Sequence, residues 1–361
     1  MSANSFAPER YGGSRKLSSR DGAWFDRRVN LLSPGDEPLD VTRFDIESAA
    51  ERVAPHIRRT PVIELEPGAL GVGGILTLKL ELLQHTGSFK TRGAFNRMLT
   101  AEIDESGVLA ASGGNFGMAV AYAARALGHH AEIFVPATSP LVKIDKIRGY
   151  GATVHVVQGY YPAAYEACVE RAWETGAAFM HPYDQPAVVA GQGTLALELS
   201  AQAPALDTVL VAVGGAGLIG GIAAWYASDV KVVGVEPTAC ASLTMALAAG
   251  EPVDVEVGGV AADALGARTG VIGLQIAQRH VDDVVLVPDE AIMRARTVLW
   301  RDAKIAAEPG AATSLAALLQ GVYIADPGER IGLIVCGGNA DPASLDDGTP
   351  EAGGGYAGSA A

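Results

Sequence analysis

The sequence predicts an α/β protein built as two three-layer domains with mostly parallel sheets. Three observations lead there. The runs 75–80, 108–111, 131–135, 153–157, 208–213, 231–236, 283–287 and 331–336 are short, rich in Val and Ile and mostly apolar at successive positions, as strands covered on both faces are. Helical patterns lie between most of them, which makes parallel crossovers the natural connection. Gly-rich turns follow the strands at 108–111, 208–213 and 331–336, at the carboxyl ends where open α/β sheets bind ligands.

The elements follow in order. Asp45 is a candidate N-cap for a helix through Ile57, stopped before Arg59-Thr60-Pro61. A strand at 75–80 precedes a helix at 90–100. The strand 108–111 runs into Ser112-Gly113-Gly114-Asn115, and an Ala-rich helix at 116–127 closes at Gly128. Pro136 ends the strand 131–135. A helix at 141–150 ends at Gly151, and the strand 153–157 leads to a helix at 161–175. A second series has helices at 193–202 and 218–227, strands at 208–213, 231–236 and 283–287, a helix from Asp289 to about Arg301, and the last strand at 331–336. The expected organisation is a large domain of 41–107 plus 184–340 and a small domain of 108–183 inserted in it. A flexible N-terminal extension is expected over 1–40 and a disordered C-terminal tail over 341–361, both rich in small, polar and Pro residues.

Composition narrows the function. The 361 residues carry 27 Lys+Arg against 41 Asp+Glu, a formal charge of -14. A chain this acidic repels a phosphate backbone, so no nucleic-acid partner is expected. Mean hydropathy is +0.21, yet no apolar run reaches the eighteen or so residues of a spanning helix, and no membrane partner is expected. Arg10, Arg15, Lys16 and Arg20 are followed by no apolar stretch, so a secretory signal is not expected. Cys168, Cys240 and Cys336 are far apart and form no CxxC pair. A reducing, cytoplasmic setting fits them. The seven histidines form no HExxH motif, no Cys/His set has ligand spacing, and no metal is expected; no Ser stands in GxSxG.

Four segments could carry chemistry. Lys90 follows a Gly-Ser turn at a helix start, where a cation is poorly placed for the helix dipole. It is a surface lysine or an amine with suppressed charge, ready to form a Schiff base. Gly214-Gly215-Ala216-Gly217-Leu218, between a strand and a helix, is a tight turn or a cradle of backbone N–H groups for an anion. Gly215, Gly217 and Gly220 also fit GxGxxG, with Glu236 near the distance of a ribose-binding acid, so a dinucleotide-binding protein without catalytic activity is an alternative. Ser112, Gly113, Gly114 and Asn115 offer backbone donors and an amide, for a carboxylate or a ring hydroxyl. Cys336, before Gly337-Gly338-Asn339, is a small buried residue or a weak partner for a bound group.

Together these segments resemble the threonine/serine dehydratases and serine racemases, pyridoxal-phosphate enzymes of the tryptophan-synthase-β-like fold called fold type II. The resemblance runs from Arg59-Thr60-Pro61 to Cys336-Gly337-Gly338-Asn339. It is densest in Thr86-Gly87-Ser88-Phe89-Lys90-Thr91-Arg92-Gly93-Ala94. Pro182, Val189-Ala190-Gly191-Gln192-Gly193-Thr194 and Glu236-Pro237 follow it too. It implies that Lys90 bonds to pyridoxal 5'-phosphate, with Phe89 near the ring and Asn115 at the 3-hydroxyl. Ser112, Gly113 and Gly114 would surround the substrate carboxylate. Gly214, Gly215, Ala216, Gly217 and Leu218 would hold the cofactor phosphate. Cys336 would face the pyridine nitrogen and Glu308 line the pocket.

The implied reaction is β-elimination from a β-hydroxy amino acid, L-threonine or L-serine, giving a 2-oxo acid and ammonia. A small-molecule amino acid is then the partner, and a homodimer is implied. Alternatives on the same fold are β-replacement, as in cysteine synthases, and dehydration of a bulkier β-hydroxy amino acid. Four departures matter. Ala216 replaces a glycine of the phosphate loop, tolerable if its φ is negative. Gly113 replaces the serine that serves racemases as acid/base opposite the lysine, which disfavours racemisation, and Phe116 replaces a histidine. Ser242 stands where relatives with a divalent cation near Glu236 carry a supporting acid, so no such cation is expected. The chain ends soon after the last strand, and no regulatory domain is expected.

Overall fold

The computed structural model describes residues 40–345. Of the predicted N-terminal extension only Asp40 lies among them, and of the predicted tail only Asp341 to Leu345. The rest of both lies outside the described residues. Asp40 pairs with Arg279 (2.5 Å), and Leu345 is buried.

Among the described residues ten strands form two sheets. The larger contains β1 (Val62–Glu64), β2 (Ile75–Lys79), β7 (Thr208–Ala212), β8 (Lys231–Pro237), β9 (Asp283–Val287) and β10 (Arg330–Ile334), in the order β1-β2-β10-β7-β8-β9. Only β1 is antiparallel to its neighbour. The smaller, β5-β4-β3-β6, is parallel throughout: β3 (Val108–Ala111), β4 (Ala131–Pro136), β5 (Thr153–Val157) and β6 (Ala178–Phe179). β3, β4 and β7 are buried at every position, which is why their sequences do not alternate. Each sheet has its own apolar core.

The helices are α1 (Arg43–Val53), α2 (Lys90–Thr100), α3 (Asn115–Leu127), α4 (Leu141–Gly149), α5 (Tyr161–Thr175), α6 (Pro186–Gln202), α7 (Gly217–Tyr226), α8 (Ser242–Ala249), α9 (Ala262–Leu265), α10 (Val271–His280), α11 (Asp289–Ala303) and α12 (Pro309–Gln320). Thr42, not Asp45, is the N-cap of α1. Its Oγ1 accepts from Asp45 N, while Asp45 accepts from Thr42 N at 2.8 Å, a reciprocal pair that fixes the helix start. α6 begins seven residues earlier than expected, at Pro186, whose fixed φ suits a first helical turn. Its interior glycines are packing devices. A Cβ at Gly191 would stand 2.7 Å from Gly93 Cα, and one at Gly193 would stand 2.9 Å from Gly221 O, so α6 lies close against α2 and α7.

Behind α2 lies a buried charged cluster. Arg92 donates to both carboxylate oxygens of Glu81 (2.8 Å each) and to Glu198 (3.1 Å). Lys79 pairs with Glu198 at 2.5 Å and donates to Thr60 O and Gln202. Burial alone would push the Glu81 carboxyl up; the Arg92 guanidinium more than reverses this and holds it below its usual range.

Candidate active site

Lys90 is the first residue of α2, delivered by a tight turn in which Thr86 (φ 62°) and Gly87 (φ 78°) are left-handed. A Cβ on Gly87 would stand 2.8 Å from Asn339 Oδ1, so only glycine fits there. The segment is tied to the end of β10. Phe89 N donates to Cys336 O (3.0 Å), Gly338 N donates to Gly87 O (2.9 Å), and Ser88 bridges Gly337. Lys90 Nζ donates to Pro182 O at 2.9 Å and lies 5.2 Å and 5.7 Å from the ring centroids of Phe89 and Phe116. Burial pulls this amine down to about 8, against the opposing pull of Cys336 and Glu308. The surface-lysine alternative does not fit this placement, with the amine held against Pro182 O, Phe89 and Phe116.

Three further predicted residues surround it. Asn115 Nδ2 donates to Glu308 Oε1 (2.6 Å), and Asn115 Oδ1 accepts from Asn339 Nδ2 (2.9 Å), which also donates to Thr86 O (2.7 Å). Glu308 N donates to Gly337 O, closing the ring of contacts. Burial pushes the Glu308 carboxyl up, opposed by Lys143 and by the Asn115 amide. The buried Cys336 thiol is pushed well above its ordinary range, by burial first and by Glu308 second, and stays neutral. Ser112, Gly113 and Gly114 lie between β3 and α3; Gly114 is the N-cap of α3 and its N–H donates to Ser112 Oγ (3.3 Å). Asn115 itself opens the helix and is not its cap.

The Gly214–Leu218 stretch joins β7 to α7, with Leu218 buried in the helix's first turn. The loop is moulded on the segment that accepts Lys90's hydrogen bond. A Cβ on Gly215 would stand 2.6 Å from the Tyr183 ring, and one on Gly217 2.7 Å from Tyr183 Cβ. Ala216 overturns the negative φ expected of it. It is the N-cap of α7 in left-handed backbone (φ 64°, ψ 5°) and is buried. Its methyl is accommodated because Gly273 opposite has none: a Cβ there would stand 2.7 Å from Ala216 Cβ. Gly270 N donates to Gly215 O (3.1 Å), and beside it Thr269 Oγ1 is buried without a partner, as is Ser88 Oγ beside Phe89.

Glu236 does not behave as a ribose-binding acid. Both its oxygens accept from the start of α8: Leu243 N (2.7 Å), Thr244 N (2.9 Å), Thr244 Oγ1 (2.7 Å) and, at longer range, Ser242 Oγ (3.4 Å). Burial pushes its carboxyl up despite these donors. Among the described residues no cluster of three or more His, Cys, Asp or Glu side chains is arranged to hold a metal.

Several residues at the site carried no signal of their own. His181 is pulled down to about 4, by burial and by Lys90 beside it, so its neutral Nδ1 can accept from Asp184 N (2.9 Å). Asp184 caps α10 through Val271 N and Ile272 N (3.1 and 3.0 Å), and Asn339 orients Asn115. Short polar residues in loops are ordinary; only the folded chain shows what they face. Ser139 is of the same kind, whereas Lys143 in α4 and Asp263 in α9 are single charged residues on helices, which sequence alone reads as solvated.

These features suit an aldehyde-bearing, anionic cofactor: a suppressed lysine amine, a neutral thiol, an amide–carboxyl pair, and a glycine loop at a helix start beside an unpartnered hydroxyl. Residues 53–337 match the family model described as pyridoxal-phosphate dependent enzyme, and the chain belongs to that family. Pyridoxal 5'-phosphate is its cofactor. The chain is 36% identical over 312 residues to an L-threonine ammonia-lyase of Thermotoga maritima, covering 85% of this chain and 77% of that one. It is 33% identical over 313 residues to a serine racemase of Arabidopsis thaliana, covering 84% and 95%. Among solved structures, the maize serine racemase superposes with a TM-score of 0.79 at 32% identity, covering 84% of this chain and 95% of that one.

Proposed function

We propose that the protein dehydrates and deaminates a β-hydroxy amino acid, L-threonine or L-serine, to a 2-oxo acid and ammonia. The net change removes one water and takes up one, so no oxidant or reductant is needed. The observation that carries this reading is the Lys90 amine, drawn down to about 8 between Pro182, Phe89 and Phe116. Relatives 36% to 38% identical that are named threonine ammonia-lyases or dehydratases support the reaction class. When bound, the cofactor supplies the electron sink for the carbanion left by α-proton removal.

The chain's own residues take the remaining roles. Lys90 anchors the cofactor and, once freed, takes the α-proton, which a base with a value near the working pH does best. Gly214, Gly215, Ala216, Gly217 and Leu218 present backbone donors to the phosphate at the start of α7. Asn115, steadied by Glu308 and Asn339, meets the ring hydroxyl, and Phe89 packs on the ring. The neutral Cys336 leaves the ring nitrogen unprotonated. Ser112, Gly113 and Gly114 receive the substrate carboxylate. We place this enzyme in the cytoplasm as a homodimer, with a small domain of 108–183 inserted in the large one. No helix among the described residues is long and apolar enough to cross a membrane.

The test is a visible spectrum of the cofactor-loaded protein during addition of L-threonine, then L-serine, with 2-oxo acid and ammonia measured together. Equal release of both products from either amino acid is the expected result. Release that gives way to a sulfide adduct when sulfide is present would favour β-replacement. A band unresponsive to both amino acids would overturn the substrate assignment.

A further inference from the structure

The loop after β3 lacks a hydroxyl at residue 113, yet the space for one is filled from elsewhere. A Cβ on Gly113 would overlap Ser139 Oγ and stand 2.8 Å from Ser139 Cβ, with Pro136 Cδ next at 3.7 Å. Ser139 comes from the connection between β4 and α4, fixed by its own N–H donating to Pro136 O (2.9 Å) and by Ala137 N donating to Val157 O (2.8 Å). It is half-buried, and its hydroxyl has no hydrogen-bond partner among the described residues. Gly113 has no left-handed φ that would demand glycine, so its missing side chain answers to Ser139 and not to backbone strain.

We propose that Ser139 is a substrate-binding residue: its hydroxyl stands in for a residue-113 side chain and hydrogen-bonds the carboxylate of the bound amino acid. The inference rests on the reading of Ser112 to Gly114 as the carboxylate site. General chemistry supports it. The loop leads into the first turn of α3, whose opening N–H groups have no acceptor within the helix and favour an anion. A free hydroxyl beside them adds a donor without adding charge. The same connection also brings Lys143, mostly buried at 13% exposure, into an ion pair with Asp263 and into the field of Glu308. Through Lys143, α4 thus reaches across to the segment around α9 that packs on Gly214 and Gly310.

The test moves the hydroxyl from one backbone to the other. Four proteins are compared: wild type, Ser139→Ala, Gly113→Ser, and the exchange Gly113→Ser with Ser139→Gly. Affinity for L-threonine is read from the shift of the visible band in the cofactor-loaded protein, and folding from the melting temperature of each apoprotein. Ser139→Ala is expected to weaken L-threonine binding by about tenfold or more, the loss of a hydrogen bond to a charged group. Gly113→Ser alone must push against Ser139 and melts lower. The exchange relieves that overlap, melts with the wild type, and restores affinity to within about threefold, since one hydroxyl again occupies one place. Binding unchanged in Ser139→Ala would overturn the proposal. So would an exchange protein that melts normally yet binds as weakly as Ser139→Ala. If the wild type releases no 2-oxo acid, the proposed reaction fails, while the affinity series still decides the role of Ser139.

Discussion

The depressed Lys90 amine makes a kinetic prediction that needs no substrate. Capture of an aldehyde cofactor requires the neutral amine, so its rate in the apoprotein tracks the neutral fraction. At pH 7.5 a lysine at about 8 is roughly one quarter neutral, whereas an ordinary lysine near 10.5 is about one part in a thousand neutral. Burial therefore supplies about two hundredfold more reactive amine at this pH. The perturbation is pH itself, varied from 6 to 10, and the assay is growth of the visible band after pyridoxal 5'-phosphate is mixed with apoprotein. The sign follows from the base form: the rate rises with pH below about 8 and levels off above it. Lys90→Ala should show no such band. A rate that climbs tenfold per pH unit up to pH 10 would mean an ordinary amine, and burial would then not be its activation.

Three other outcomes follow from the same geometry. Cys336→Ser keeps a neutral group at the position proposed to face the cofactor's ring nitrogen, so kcat/KM should stay within about tenfold of wild type, since a hydroxyl and a thiol are both weak neutral partners; complete loss would contradict that role. Gly215→Ala drives a methyl to 2.6 Å from the Tyr183 ring. It should cost about 1–3 kcal/mol in urea unfolding and weaken cofactor affinity measured by equilibrium dialysis; unchanged affinity would remove the loop from the phosphate site. Arg92→Met leaves the buried Glu81 carboxylate unpaired and should cost about 3–5 kcal/mol, read as a lower urea midpoint at unchanged slope; a smaller loss than for exposed Arg43→Met would refute the pairing.

Much of the fold was legible because its central strands, β3, β4 and β7 among them, are buried on both faces, and β3 and α2 fall at the residues expected. β1 and β6 were not, since three- and two-residue strands carry too little pattern. α6 starts at Pro186, ahead of the expected 193, and the helix cost of Gly191 and Gly193 inside it is offset by close packing on α2 and α7. At the site, Lys90, Asn115 and Cys336 stood out through the turns that precede or follow them. Ser139 did not, because its role arises only from proximity to Gly113 across 26 residues of chain. Ala216 was misjudged for a related reason: its left-handed backbone is tolerated by an absence at Gly273, which no local pattern announces.

The two sides of α2 explain each other. Behind it Lys79 and Arg92 face Glu81 and Glu198, two cations against two carboxylates, so the cluster carries no net charge. In front of it Lys90 is suppressed, the Cys336 thiol is held neutral and the His181 imidazole is held neutral, each by burial first. A pocket that relies on burial to lower a lysine works only if no uncompensated negative charge lies nearby, because such a charge would return the proton. Glu81 is close enough to act on the Cys336 thiol, so its neutralisation by Arg92 matters to the front as well as to the core. A Glu81 carboxylate freed of Arg92 would add to the pull that Cys336 and Glu308 already exert on the Lys90 proton. In Arg92→Met the level region of the cofactor-capture profile should therefore begin at higher pH than in the wild type, with less reactive amine at pH 7.5. Arg92→Met combined with Glu81→Gln removes both charges and should bring the profile back. A profile unmoved in the folded single variant would show that the two sides of α2 are electrostatically independent.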